Sequence, residues 1–554
     1  PVTNHSNATT QPSNIQHTTF NLQPSTNPKL GTRNPEHYTF LRIQPPNPTP
    51  TFPVYLPPMS LKNALLLAFF GLLIGFSSCK KDEFITDGDA KLEFSTDTVI
   101  FDTVFTTVGS STEVFVVYNR NDQPVKVSSI RLATGDQSMF RLNVDGLPGR
   151  SFSDVEIGAD DSIFIFVEVT VDPNNQNTPL VVTDSILFET NGNLQDIDLV
   201  AWGQDAYFHK PPAGSPPLFF LDCNDTWNND KPHVIYGYAL VDSACTLTIN
   251  AGTNVHLHPG SGIIVLSSGT LKVEGTTGSP VTIQGDRLGF DYQEIAGQWD
   301  RIWLSNITRS NLINGTNEIG PGSRNSVIRN CVIKNGNIGL HVDTVFGAGE
   351  TTLRLENTFV RNMSGNALLL RGAVIDAYNC AFANCGLQVA NMLYGGTYRW
   401  YHCTFANFWS EESRQDPVVL MNNYFGNNVR RIDANYYNCI VYGNNDQELG
   451  IDSFPNAAPG LFNYKFDHAL LKIEGTFPTS NPLFYNAIIR ATGSSNSPRF
   501  QDVDNNIYKL DSTSIAIDAG DAAFLSIDPI LNTDLEGLVR PQGLGPDLGA
   551  YERR

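Results

Sequence analysis

Between residues 398 and 433 the chain gathers a mixture of side chains suited to holding sugars. Trp400 and Trp409 offer flat aromatic faces, Arg414, Arg430 and Arg431 offer guanidinium donors, and Asp416 and Asp433 offer carboxylate acceptors. An aromatic face covers the apolar side of a sugar ring, while planar forks of donors or acceptors meet its hydroxyls. Each residue also has a plainer reading. Aromatics stack in cores, and Arg430, Arg431 and Asp433 are close enough in sequence to form a solvated ion pair. Trp299 and Trp303 share the parity of one strand-like run, which puts both on one face if the alternation is regular. Hydrolysis would need paired carboxylates, and elimination would need carboxylates clustered around calcium with an Arg or Lys base. Asp376 with Arg371, and Arg399 with His402, come nearest to such sets, but no second carboxylate recurs at matching spacing. No catalytic residue, metal site or other cofactor is therefore assigned, and calcium enters only with elimination chemistry.

These residues sit in a stretch built by repetition. The phrase Asn330-Cys331-Val332-Ile333-Lys334-Asn335 returns at Asn357-Thr358, Asn379-Cys380, His402-Cys403 and Asn438-Cys439, at intervals of 27, 22, 23 and 36 residues. A period of roughly 20 to 30 residues made of strands predicts a β-solenoid. Coils stack at about 4.8 Å, so a repeated position becomes a column. An Asn column can exchange amide bonds from rung to rung, and a Cys column packs as small apolar atoms. His402 stands in an Asn position, where a structural hydrogen bond is the natural role. From about Leu240, short runs such as Thr246-Leu247-Thr248-Ile249 and Gly269-Thr270-Leu271-Lys272-Val273 follow one another with Gly, Pro or Asn at each break. The interval from Cys403 to Cys439 is one coil plus an excursion, and excursions are where solenoids build binding surfaces. Ligand contact is expected on the lateral face beside it.

Upstream, residues 91–204 alternate short apolar strands with turn chemistry, about seven strands over roughly 110 residues, which predicts a β-sandwich. Pro211, Pro212, Pro216 and Pro217 make 205–222 an expected stiff linker. The order Tyr118-Asn119-Arg120-Asn121, Pro124-Val125, Val171-Asp172-Pro173 resembles immunoglobulin-like domains of the abnormal-spindle-associated kind, which implies a spacer or adhesion module. The stretch 223–500, with Gly269-Thr270-Leu271-Lys272-Val273-Glu274-Gly275-Thr276 and Pro280-Val281-Thr282-Ile283, resembles right-handed parallel β-helix proteins of the pectate-lyase-like superfamily. That resemblance implies a polysaccharide lyase or hydrolase acting on an acidic glycan as the alternative to binding. In 501–554, Ile515-Ala516-Ile517-Asp518-Ala519-Gly520, Asp534-Leu535-Glu536-Gly537, Arg540-Pro541 and Asp547-Leu548-Gly549-Ala550-Tyr551-Glu552 are similar to the C-terminal segment of many secreted bacterial β-helix proteins, where it caps the last coil. The expected fold is thus all-β: an immunoglobulin-like sandwich, then a right-handed parallel β-helix with a C-terminal cap. Triplets such as Asp102-Thr103-Val104 and Asp184-Ser185-Ile186 resemble an O-glycosylation signal of exported proteins, and equally start a strand after a turn.

The first methionine is Met59, followed by Lys62, an apolar run over 64–76 and the small pair Ser77-Ser78. This reads as a secretory signal over 59–78, too short to span a membrane, and makes 1–58 an upstream extension rich in Pro, Asn and Thr. Phe76-Ser77-Ser78-Cys79 resembles the lipobox of bacterial lipoproteins, which implies lipid on Cys79, a tether over 79–90 and residence in the outer membrane facing outward. Of the eight cysteines, Cys223 and Cys245 lie in a loop-like region before the repeat and read as a bridge or as two nearby buried thiols. The net charge of -20 excludes a phosphate-backbone partner. The expected partner is a polysaccharide or glycoprotein at the cell surface, bound by an adhesive or scaffolding module rather than an enzyme.

Overall fold

The computed structural model describes residues 83–106, 110, 112–171, 180–316, 318–343 and 350–554. The leader and Cys79 lie outside them. Among the described residues, the sandwich has ten strands in two five-stranded sheets packed around one apolar core. Ser162–Val169 shows why these segments are strands: Ile163, Ile165, Val167 and Val169 are buried while the residues between them face out. The left-handed pair Asn191-Gly192 closes a tight hairpin between Leu180–Thr190 and Asn193–Gln204. Strands that sequence patterning passed over include Ser151–Ile157, an edge strand in which only Ile157 is buried. A strand with one wet face and no partner on one side has little reason to alternate.

The rest of the chain is a right-handed parallel β-helix of three sheets. The first sheet runs over eleven strands from Tyr207–His209 to Ile489–Ala491. The second has nine, from Leu218–Phe220 to Leu449–Asp452, and the third has ten, from Thr226–Trp227 to Tyr485–Asn486. Each coil visits the sheets in that order and pairs in parallel with the coil before it. Coils are numbered here from Tyr207, so that coil 4 is 281–329, coil 5 is 331–356, coil 6 is 359–378, coil 7 is 381–401, coil 8 is 404–437 and coil 9 is 440–467.

Residues 205–222 are not a free linker. They carry the first strands of the first and second sheets, and the four prolines sit in the corner between them, where no ladder N–H is needed. A disulfide joins Cys223 to Cys245, stitching the third-sheet strand of coil 1 to that of coil 2. Cys331, Cys380, Cys403 and Cys439 are free and buried in a column.

The repeated Asn has a backbone cause. Asn330, Asn357, Asn379 and Asn438 occupy the corner into the first sheet with φ between 44° and 54°, and His402 does so at 49°. Asn tolerates this left-handed conformation better than other side-chain-bearing residues. The amides then link rungs, Asn379 donating to Asn357 at 3.1 Å and Asn438 meeting His402 Nε2 at 2.8 Å.

The C-terminal segment is laid sideways rather than confined to the last coil. Small residues Ala381, Ala383 and Ala406 on the outside of the first sheet let Tyr508, Ala550 and Tyr551 pack close. Arg540, fully buried, donates to Asn379 and, at 3.1 Å, to the Gly549 carbonyl, and lies 3.3 Å from Glu552. Asp534 and Asp547 accept backbone N–H groups of this segment. Its repeated acidic and Arg residues are therefore fasteners. The outer face of the first sheet is covered from coil 6 onward, and Leu531 reaches the border of the third at Tyr378 and Tyr401.

Candidate functional site

Coil 4 is the longest because two excursions, 286–298 and 305–325, flank its second-sheet strand Trp299–Leu304. The second excursion holds a short helix, Arg309–Asn314, capped by the Thr308 hydroxyl and ended by left-handed Gly315. Leu312 of that helix and Trp303 pack over Leu240, Ile264 and Leu266 on the outside of the second sheet.

In Trp299–Leu304 the alternation slips. Trp299, Ile302 and Leu304 are buried, which leaves adjacent Asp300 and Arg301 half-exposed together. The neighbouring strand Gly336–Asp343 takes up the irregularity at Gly339, which has no partner between Ile338 and Leu340. A Cβ there would come within 2.4 Å of Val360, so the close approach requires glycine. Trp299 and Trp303 therefore face opposite sides, contrary to their spacing.

The slip assembles a polar cluster across coils 2, 4, 5 and 6. Arg301 binds both oxygens of Asp300 at 2.8 and 3.0 Å, and Tyr238 donates its hydroxyl to the same carboxylate at 2.6 Å. Arg301 then reaches His341 Nδ1 at 3.3 Å. Trp303 lies parallel to the His341 ring at 4.9 Å and donates its indole N–H to Asp343 at 2.9 Å. Arg371 clamps both oxygens of Asp343, with His341 Nε2 3.2 Å from the carboxylate.

Burial works to raise the Asp343 carboxyl, but His341 and Arg371 outweigh it and hold it well below the usual carboxylate range. Asp300 follows the same balance, with Arg301 and Tyr238 winning over burial. His341 is pushed below the usual imidazole value by burial, reinforced by the two guanidinium groups. At neutral pH the cluster is thus two carboxylates, two guanidinium groups and an uncharged imidazole. Neither carboxyl is poised to give up a proton. Among the described residues no three His, Cys, Asp or Glu side chains converge as a metal cage.

Farther along the same face, at the border towards the third sheet, Tyr394 takes a φ of 58° and is followed by left-handed Gly395 and Gly396. Arg430 lies over the Tyr394 ring at 4.3 Å, and Phe425, 74% exposed, meets that ring edge-on. Tyr424 and Asn422 hydrogen-bond Asp452.

The residues expected from sequence to form one site are separated. Trp400 is fully buried beside Tyr398 and stacks on Tyr436 inside the coil, because inward positions of the third sheet need bulky filling. Arg414 is buried against Glu448 through two hydrogen bonds at 2.6 and 2.9 Å, and Asp416 accepts from Gln388 at 2.7 Å. Those contacts fasten the excursion 408–418, which includes half-buried Trp409, to coils 7 and 9. Arg430, Arg431 and Asp433 lie at the opposite border of the second sheet. There Arg431 and Asp433 form an exposed pair and Arg430 alone approaches the aromatic group. Asp376 is clamped by Arg399 on the third sheet, and His402 is buried in the Asn column. Asp300, Arg301, His341 and Asp343 were missed as a set because the slip and the long coil 4 break the phrase that marks other coils.

No protein family matches the chain, and no curated protein matches it. Solved structures with some likeness include the catalytic unit of a thermostable GH87 alpha-1,3-glucanase from Streptomyces thermodiastaticus strain HF3-3, at 9% identity over 68% of this chain and 89% of that one, with a TM-score of 0.25. The Agl-KA catalytic domain shows 12% identity over 65% and 76%, with a TM-score of 0.18. A family 123 glycoside hydrolase from Clostridium perfringens shows 11% identity over 21% of this chain, with a TM-score of 0.15, and the chain spans 26% of its length. At these scores the likenesses carry no argument about activity.

Proposed function

We propose that this is an exported surface protein, tethered through lipid on Cys79, that holds a polysaccharide on the outer face of the second sheet. One observation carries the reading: the strand slip at Asp300-Arg301 presents a preorganised hydrogen-bonding cluster beside stacked Trp303 and His341, on a face the C-terminal segment leaves uncovered. Fixed donors and acceptors next to aromatic surface suit sugar hydroxyls and ring faces. Phe425 and Tyr394 extend that surface along the solenoid. The test is a glycan array on the intact protein and a Phe425→Ala variant, whose exposed side chain can be removed without opening the core. Loss of glycan signal in the variant supports the face, and equal signal in both removes it.

Cleavage is the second reading, favoured by one feature: Asp300 and Asp343 come from adjacent coils and are linked through Arg301 and an uncharged His341. Release of reducing ends from a bound glycan, lost in Asp343→Asn, would establish a hydrolase. Binding without release leaves the protein a glycan holder.

A further inference from the structure

We infer that the polysaccharide held on this face is uncharged, an inference that rests on the glycan-holding reading above. Charges on the face are already spent on one another. Arg301 is paired with Asp300, and Arg371 is paired with Asp343. At the border, Arg431 is paired with Asp433, Arg430 lies over the Tyr394 ring, and Asp452 accepts from Tyr424, so two guanidinium groups stand beside two carboxylates. With His341 neutral, the face has no surplus of positive charge.

A uronic-acid or sulfated chain would meet an Arg371 whose charge is offset by Asp343, a carboxylate only 5% exposed, and could take that charge for itself only by breaking the pair. Stripping its partner from a buried carboxylate is strongly unfavourable. Such a chain would also approach a protein of net charge -20, a repulsion felt out to about 8 Å at physiological salt. A neutral chain meets neither obstacle. It uses the outward edges of the Asp–Arg pairs as donors and acceptors, with the indole edge of Trp303 beside them and Phe425 as a ring platform. Phe425 has no charge to offer, yet it is 74% exposed on this border.

The experiment is calorimetric titration of the intact protein with a soluble α-glucan, a β-glucan and a mannan, against polygalacturonate and alginate, at low and at high salt. Binding of a neutral polymer that changes less than about twofold with salt, and falls at least about tenfold in Phe425→Ala, is expected. Binding of a polyanion that collapses with salt and is lost in both Arg371→Gln and Phe425→Ala overturns the inference while leaving the face as a glycan site. Binding of none of the five polymers overturns the inference and the broader reading together. Because Phe425 lies on the surface, its variant separates loss of contact from loss of fold.

Discussion

Arg414 and Phe425 make a useful contrast, because sequence alone ranks them in the wrong order. Arg414 sits in the longest interval of the repeated phrase and has the chemistry of a ligand donor, yet it is spent on Glu448 inside the corner between coils 8 and 9. Arg414→Ala would leave Glu448 buried without its partner. A loss of about 3 to 5 kcal/mol is expected, read as a lowered midpoint in chemical denaturation. Arg540→Met is expected to be similarly destabilising, since Arg540 pins the C-terminal segment to Asn379 and Glu552. Phe425→Ala should leave the midpoint within about 0.5 kcal/mol and act only on ligand binding. A Phe425→Ala midpoint shift as large as that of Arg414→Ala would contradict this division. The type of a side chain is legible in a sequence, whereas whether its hydrogen-bonding capacity is already consumed is not.

At the level of elements, the strands were largely legible where a side-chain rule enforces them. Left-handed Asn corners and inward Cys columns repeat with the coil, and so they announced the solenoid. The slip in Trp299–Leu304 has no such mark, because Asp300-Arg301 reads as an ordinary polar break. Gly339 is the residue that allows it, and Gly339→Ala should disturb the pairing of coils 4 and 5 and weaken ligand binding, while the sandwich core stays intact by its own unfolding signal. A separate prediction concerns the junction of the two domains. Phe105 of the sandwich packs on His256, and His209 shares a 2.8 Å hydrogen bond with His233 over Trp227. Burial pushes His256 and His209 down to about 4. Their folded values lie below the unfolded imidazole value of about 6.5, so the unfolded chain takes up protons first as pH falls. Stability should be complete above pH about 6.5 and decline steadily towards pH 4. Thermal midpoints across that window should fall less steeply in His256→Gln, and a flat profile in the parent protein would refute the assignment.

For the whole molecule, the arrangement of surfaces matters more than any one residue. The C-terminal segment covers the outer face of the first sheet from coil 6 onward and reaches the border of the third, while the second sheet carries the polar cluster proposed to meet the ligand. Its coils from 4 to 9 span roughly 24 Å at about 4.8 Å per rung, room for several sugar units. Lipid on Cys79 is part of the proposal, and in the sequence the sandwich follows that cysteine and precedes the solenoid. Cys79→Ala should then release the protein into the aqueous phase on detergent partition, and unchanged membrane association would defeat the tether. The most direct measurement of the central claim is a crystal structure of the intact protein with a bound neutral oligosaccharide. Sugar density is predicted over Trp303, the Asp343–Arg371 pair and Phe425. Density seated instead on the 408–418 excursion, on the third sheet or on the sandwich would contradict the account.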